Sequence, residues 1–118
     1  MTDAQALGRR GEEAAASFLT ARGLVVVARN WRCREGELDI VARERDTLVF
    51  CEVKTRRGVG FGAPLDAITP VKQARLRRLA SAYLAEVGGH RGPIRMDAVG
   101  IVWHDDDRLD VEHLRGVG

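Results

Sequence analysis

The sequence predicts an α/β fold built on a mixed central sheet flanked by helices, and three observations carry that prediction. Two stretches have apolar residues at helical spacing, and they are separated by three strand-like runs. One of those runs, Thr47 to Thr55, is apolar throughout its first half, as a strand covered on both faces would be. Two further strand-like runs follow the second helical stretch, giving the order α-β-β-β-α-β-β.

The first helix is expected over Asp3 to Arg22. Leu7, Ala14, Ala15, Phe18, Leu19 and Arg22 share one side, and Gly23 is a natural stop. Gly8 and Gly11 weaken its first half. Strands are expected over Leu24 to Trp31, Gly36 to Arg43 and Thr47 to Thr55, the last two joined by a polar turn, Glu44-Arg45-Asp46. Arg56 to Leu65 reads as a Gly-rich loop that rims whatever the third strand carries. Thr69 and Pro70 open the second helix as N-cap and first helical residue, and Gly88-Gly89 close it after Val87. Strands Ile94 to Trp103 and Arg108 to Leu114 end the chain, with His104-Asp105-Asp106-Asp107 between them as a solvated turn.

At 118 residues the chain fits one domain, 1–118, with a core over about residues 3–104 and a short terminal strand or tail over 108–118. A hydrophobic content of 45% supports a real core rather than disorder. No apolar run approaches the roughly 20 residues of a membrane helix, and no signal-type N-terminus is visible, so a cytoplasmic protein without membrane contact is expected. Cys33 and Cys51 form no zinc spacing, and Cys51 belongs to the core. No Ser/His/Asp or Cys/His arrangement is visible. The glycines of the Arg56–Leu65 loop match neither a P-loop nor a dinucleotide fingerprint. His90 and His113 have no recognisable partner. Aromatics at 5% disfavour single-strand binding by stacking, and Trp31 and Trp103 are read as core or sheet-edge residues. The net charge of +2 settles nothing by itself. The 19 basic residues are nearly all Arg, which suits phosphate contacts but also follows from a GC-rich genome.

The chemistry concentrates on the central hairpin. Residues two apart on a strand share a face, so Glu52 and Lys54 point one way, as do Glu37 and Asp39. A hairpin centred on Arg45-Asp46 pairs residues whose numbers sum to 91, setting Asp39 opposite Glu52 and Glu37 opposite Lys54, whereas a three-residue loop would shift the register by one and make these pairs diagonal. Opposed carboxylates roughly 5 Å apart in apolar surroundings call for a cation or a proton. Mg²⁺ or Mn²⁺ bound by Asp39 and Glu52 meets that need, and Lys54 then holds a phosphate or orients the attacking water. The same residues can also be a solvated hairpin face with a Glu37–Lys54 salt bridge. On the second helix Arg75, Arg77 and Arg78 fall off the apolar side; with Arg56, Arg57 and Lys72 they form a candidate phosphate-binding surface, or a plain solvated face.

The segments GELDIVA and LVFCEVKTR, preceded by GRRGEEAAASFL and followed by VKQARLRRLASAYL, resemble the YraN family of bacterial proteins from about Gly8 to Trp103. That family is similar to Holliday-junction resolvases. The resemblance implies a restriction-endonuclease-like αβββαβ core and a divalent-metal nuclease site. It carries over Asp39 as the second-strand acid, Glu52 and Lys54 as the E-x-K, and Glu12 as the acid of the first helix. Glu12 also lies at the edge of that helix's apolar face, where an acid can reach the sheet. Gln73, one turn into the second helix, is placed where related nucleases often carry a site-positioning Gln, and it can equally be a capping or core-edge amide. The implied activity is hydrolysis of phosphodiester bonds in branched or structured DNA by a homodimer. A nucleic-acid-binding module of the same fold without catalysis, or a small interaction protein, stays open.

Overall fold

The computed structural model describes residues 2–58 and 64–117. Its elements run α1 (Asp3–Ala21), β1 (Val25–Cys33), β2 (Gly36–Glu44), β3 (Thr47–Arg57), a short 3₁₀ turn (Pro64–Ala67), α2 (Pro70–Val87), β4 (Ile94–Trp103) and β5 (Leu109–Arg115). The five strands form one sheet in sequence order. β3 and β4 are parallel and every other pair is antiparallel. A parallel pair needs a crossover, and α2 supplies it. This is the mixed α/β architecture expected, with a helix on each face, and it is compatible with a restriction-endonuclease-like core.

Alternation along β3 divides the core. Val49, Cys51 and Val53 face α1, where they meet Ala15, Ala16 and Leu19 together with Val99, Ile101 and Trp103. Leu48 and Phe50 face α2, where they meet Leu76, Leu79 and Ala80. Phe50 and Trp31 both stack edge-on against Tyr83, at 5.7 and 5.4 Å, tying α2 to the sheet. The pattern explains why the first half of β3 reads as unbroken apolar sequence.

The helix ends follow local chemistry. Thr2 caps α1 in a reciprocal capping box with Gln5. Thr69 caps α2 by accepting from the Lys72 N–H, and Gly88 ends it at φ 87°. Gly11, which weakens α1 as sequence, is needed by the packing. A Cβ there would lie 1.8 Å from Thr55 Oγ1, so only glycine lets α1 settle onto β3. Glu12, the next residue, is carried to the sheet by that contact.

Most strand ends shift by one or two residues from expectation, and the shift that matters for the site is at the end of β3. β3 continues through Arg56 and Arg57, because β4 pairs with it as far as Arg57↔Trp103. Those two arginines therefore sit on a strand rather than in the Gly-rich loop. Of that loop, residues 59–63, with Gly60 and Gly62, lie outside the described residues, as does the expectation that the loop rims the site. The sequence also gave no sign of the 3₁₀ turn, which packs Pro64 and Leu65 against Gly100 of β4. Among the described residues no helix is long and apolar enough to cross a membrane.

Candidate metal centre

The hairpin register is the one the two-residue turn requires. Glu44↔Thr47 through Ile40↔Cys51 all sum to 91, with Arg45 at φ 56° in the turn. The β2–β3 ladder then stops, one pair short of Asp39 and Glu52. Asp39 Oδ2 accepts a hydrogen bond from the Val53 N–H at 2.8 Å, so a carboxylate takes the place of the next main-chain partner. The expected Glu37↔Lys54 pairing is not formed, because β2 is no longer laddered to β3 there. Glu37 instead accepts from Arg32 Nε at 2.8 Å, and Lys54 Nζ lies 3.5 Å from Glu52 Oε1.

The other side of β2 shows a matching irregularity. Ala28 and Trp31 of β1 both face α2, and so do Leu38 and Val41 of β2, although each pair is three residues apart. Alternation therefore slips between the register pairs Arg29↔Ile40 and Trp31↔Leu38. Asn30 and Asp39 occupy the slip, and Asn30 takes a left-handed φ of 53°.

Glu12, Glu37 and Asp39 each bring a carboxylate oxygen to within 4.8 Å of the others. A small cavity of about 10 Å³ lies beside them, lined by Glu37, Asp39, Glu52, Arg75, Leu76 and Leu79. That is room for roughly one water or one small cation. Glu52 is 7% exposed, and its Oε1 lies 3.5 Å from Lys54 and 3.8 Å from Arg75. Burial pushes the Asp39 carboxyl up to about 7 against the lowering effect of the Val53 N–H; Glu12, Glu52 and Glu37 add to the rise. No basic side chain is hydrogen-bonded to Asp39 among the described residues.

The donor set fits a hard divalent cation. Oxygen ligands from carboxylates are what Mg²⁺ and Mn²⁺ take, and a half-buried acid ringed by acids gains most from a positive ion. Glu12, Glu37 and Asp39 are the residues that could hold it, with Glu52 on the cavity that Asp39 also lines.

The remaining sequence candidates divide between the two faces. Arg75 reaches the site through Glu52. Arg56 shares the β3 face of Glu52 and Lys54, toward α2. Arg57 lies on the opposite face, in a groove with Asp3, Leu7 and Arg10 of α1. Lys72 and Gln73 sit half-buried in the first turn of α2, where their main-chain N–H groups bond Thr69. Two residues were missed as site members. Sequence places Glu37 only opposite Lys54, as one half of an alternative salt bridge, although its parity with Asp39 is a signal for the site. Asn30, a polar residue inside an apolar run, reads in sequence as plain strand. His113, expected to lack a partner, bonds buried Asp97 through Nε2 at 2.8 Å.

The uncharacterised protein family UPF0102 matches the chain over residues 11–101, the span holding Glu12, Glu37, Asp39, Glu52 and Lys54. The chain belongs to UPF0102. Relatives carrying that family name include a protein of Acidothermus cellulolyticus, 52% identical over 95% of this chain and 92% of its own length. One from Nocardia farcinica is 52% identical over 98% and 91%, and one from Beutenbergia cavernae is 53% identical over 96% of both. The UPF0102 match takes in α1 from Gly11 onward and the whole hairpin, so Glu12 and the strands that bring it the other carboxylates lie inside the family's shared region.

Proposed function

We propose that this UPF0102 protein is a cytoplasmic, Mg²⁺- or Mn²⁺-dependent endonuclease that hydrolyses phosphodiester bonds in branched or structured DNA. The observation that carries the reading is Asp39, a carboxyl raised to about 7 where Glu12, Glu37 and Glu52 converge, with Lys54 alongside. The proposed ligand set is Asp39 with Glu12, Glu37 and Glu52. Held by these carboxylates, a divalent ion would supply Lewis-acid activation of the phosphate and of the attacking water.

The chain's own residues supply the rest. Lys54 is placed to neutralise charge developing on the phosphate, or to orient the water, and Glu52 steadies its ammonium group. Arg75 brings a second cation to the same cavity. A groove of about 960 Å³ between α1 and β1 runs up to Glu12 and Glu37, and Arg9, Arg29 and Arg32 line it together with Glu13, Arg29 being paired with Glu13 and Arg32 with Glu37. It offers the phosphate backbone a path on that side, with Arg56, Lys72, Gln73 and Arg75 on the α2 side. Symmetric cutting of a junction calls for two copies, so a homodimer is part of the proposal.

The test is cleavage of synthetic four-way junctions, flaps and duplexes with Mn²⁺, comparing wild type with Lys54→Ala. Cutting of the branched substrates that falls on the order of 100-fold or more in the variant supports the reading. Equal cutting by both proteins overturns it. Tight junction binding with no cutting by either protein replaces it with a binding module.

A further inference from the structure

Three carboxylates do not gather unaided, and a single neutral side chain spans two of them. Asn30 Nδ2 donates to Glu12 Oε1 at 2.9 Å and to Glu37 Oε1 at 2.8 Å. An amide nitrogen has two hydrogens, so both are committed to these acids. The acids come from different elements, Glu12 from α1 and Glu37 from β2, while Asn30 belongs to β1 between them. Their other neighbours do not do this work. Arg32 Nε binds the far oxygen of Glu37, and Arg29 binds Glu13 rather than Glu12.

The backbone supports the role. Asn30 holds φ 53°, a conformation that costs most side chains strain and that asparagine tolerates well. It falls within the same slip of alternation as Asp39. The choice of an amide is chemically pointed. A lysine there would order the acids and cancel their charge together. Asparagine orders them and leaves the charge unspent, so demand for a cation remains.

We infer that Asn30 is a positioning residue that holds Glu12 and Glu37 in place for a divalent cation. The inference rests on the metal reading of the site and names a residue for it. The role is that of an outer-shell partner, whose loss typically weakens metal binding 10- to 100-fold.

The experiment is Mn²⁺ titration by calorimetry at pH 8, without nucleic acid, on wild type, Asn30→Gly, Glu12→Gln and the double variant. Glycine accepts the positive φ, so Asn30→Gly removes the amide without straining the strand. Arg45→Gly, at a positive-φ position in the hairpin turn, controls for the gain of backbone freedom. The expected result is a Kd raised at least tenfold in Asn30→Gly and unchanged in Arg45→Gly. The double variant should be little worse than Glu12→Gln alone, because the two residues act on one site. Should Asn30→Gly fold poorly, Asn30→Ser, which is too short to span both acids, must show the same weakening. Unchanged affinity in a folded Asn30 variant, or full additivity with Glu12→Gln, overturns the inference while leaving the metal reading intact. If wild type itself takes up no Mn²⁺, the metal reading fails first.

Discussion

Two aspartates on one sheet meet opposite fates. Asp97 of β4 is fully buried, yet it is the more comfortable of the two. Arg95 grips both its oxygens at 2.8 and 3.0 Å, His113 Nε2 lies 2.8 Å away, and the Gly116 N–H donates at 3.0 Å. Burial pushes the Asp97 carboxyl up, but Arg95, His113 and Gly116 together hold it below the usual carboxylate range. Asp39 of β2 is less buried and worse served, with one main-chain donor and acids for neighbours, and its carboxyl rises to about 7. Burial therefore does not mark the candidate site; unanswered charge does. Asp97 is closed structural chemistry that ties β4 to β5 and the tail. Asp39 is open.

The largest expected difference comes from removing Asp97. Asp97→Asn leaves Arg95 with Glu44 as its remaining carboxylate and sets a buried amide NH2 against the donors Arg95 and His113, which should cost about 3–5 kcal/mol, read by urea unfolding at pH 7. Asp39→Asn keeps an acceptor for the Val53 N–H and should not destabilise the protein. An equal loss in both variants would erase the distinction.

The pH dependence sharpens the contrast, because the two signs differ. Asp39 has a folded pKa above its ordinary value, so its contribution to stability is complete below about pH 4 and is lost as pH rises through about 7. Relative to Asp39→Asn, metal-free wild type should therefore weaken across that window, by on the order of 4 kcal/mol. Asp97 has a lowered pKa, so its contribution is present above the ordinary carboxylate range and is lost as pH falls through the depressed value. Urea midpoints at pH 4.5, 6 and 8 for wild type and Asp39→Asn check this. A difference between the two proteins that does not change with pH would contradict the raised carboxyl.

A smaller effect concerns how α1 delivers Glu12. Gly11→Ala puts a methyl group onto Thr55 and should cost about 1–3 kcal/mol, partly offset by alanine's better helix propensity. It should also weaken Mn²⁺ binding, because Glu12 moves with the helix. Gly8→Ala meets nothing within 4 Å and should leave Mn²⁺ binding unchanged.

The same comparison shows which parts of the molecule could be read from sequence. The hairpin register was legible up to the choice between a two- and a three-residue turn, and Ile40↔Cys51 obeys the two-residue one. The helix caps at Thr69 and Gly88 were legible because capping is local chemistry. Asp39, Glu52 and Lys54 were legible as parts, since alternation gives their faces and Lys54 does lie beside Glu52. The register could not tell that the ladder ends at Ile40, so Glu37 was assigned across to Lys54 rather than to Asp39 and Glu12. Asn30 was hidden because a left-handed residue within a strand has no periodic signature. Asp97 and His113 were hidden because their contact depends on how β5 pairs with β4, a long-range fact.

The most direct test of the account is Mn²⁺ titration of wild type and Asp39→Asn at pH 8, where Asp39 is ionised and free to bind a metal. The account predicts saturable binding to wild type, accompanied by a rise in thermal midpoint, and neither in Asp39→Asn. Equal binding by the two proteins, or none by wild type, would contradict the claim that the unanswered charge at Asp39 is there for a cation.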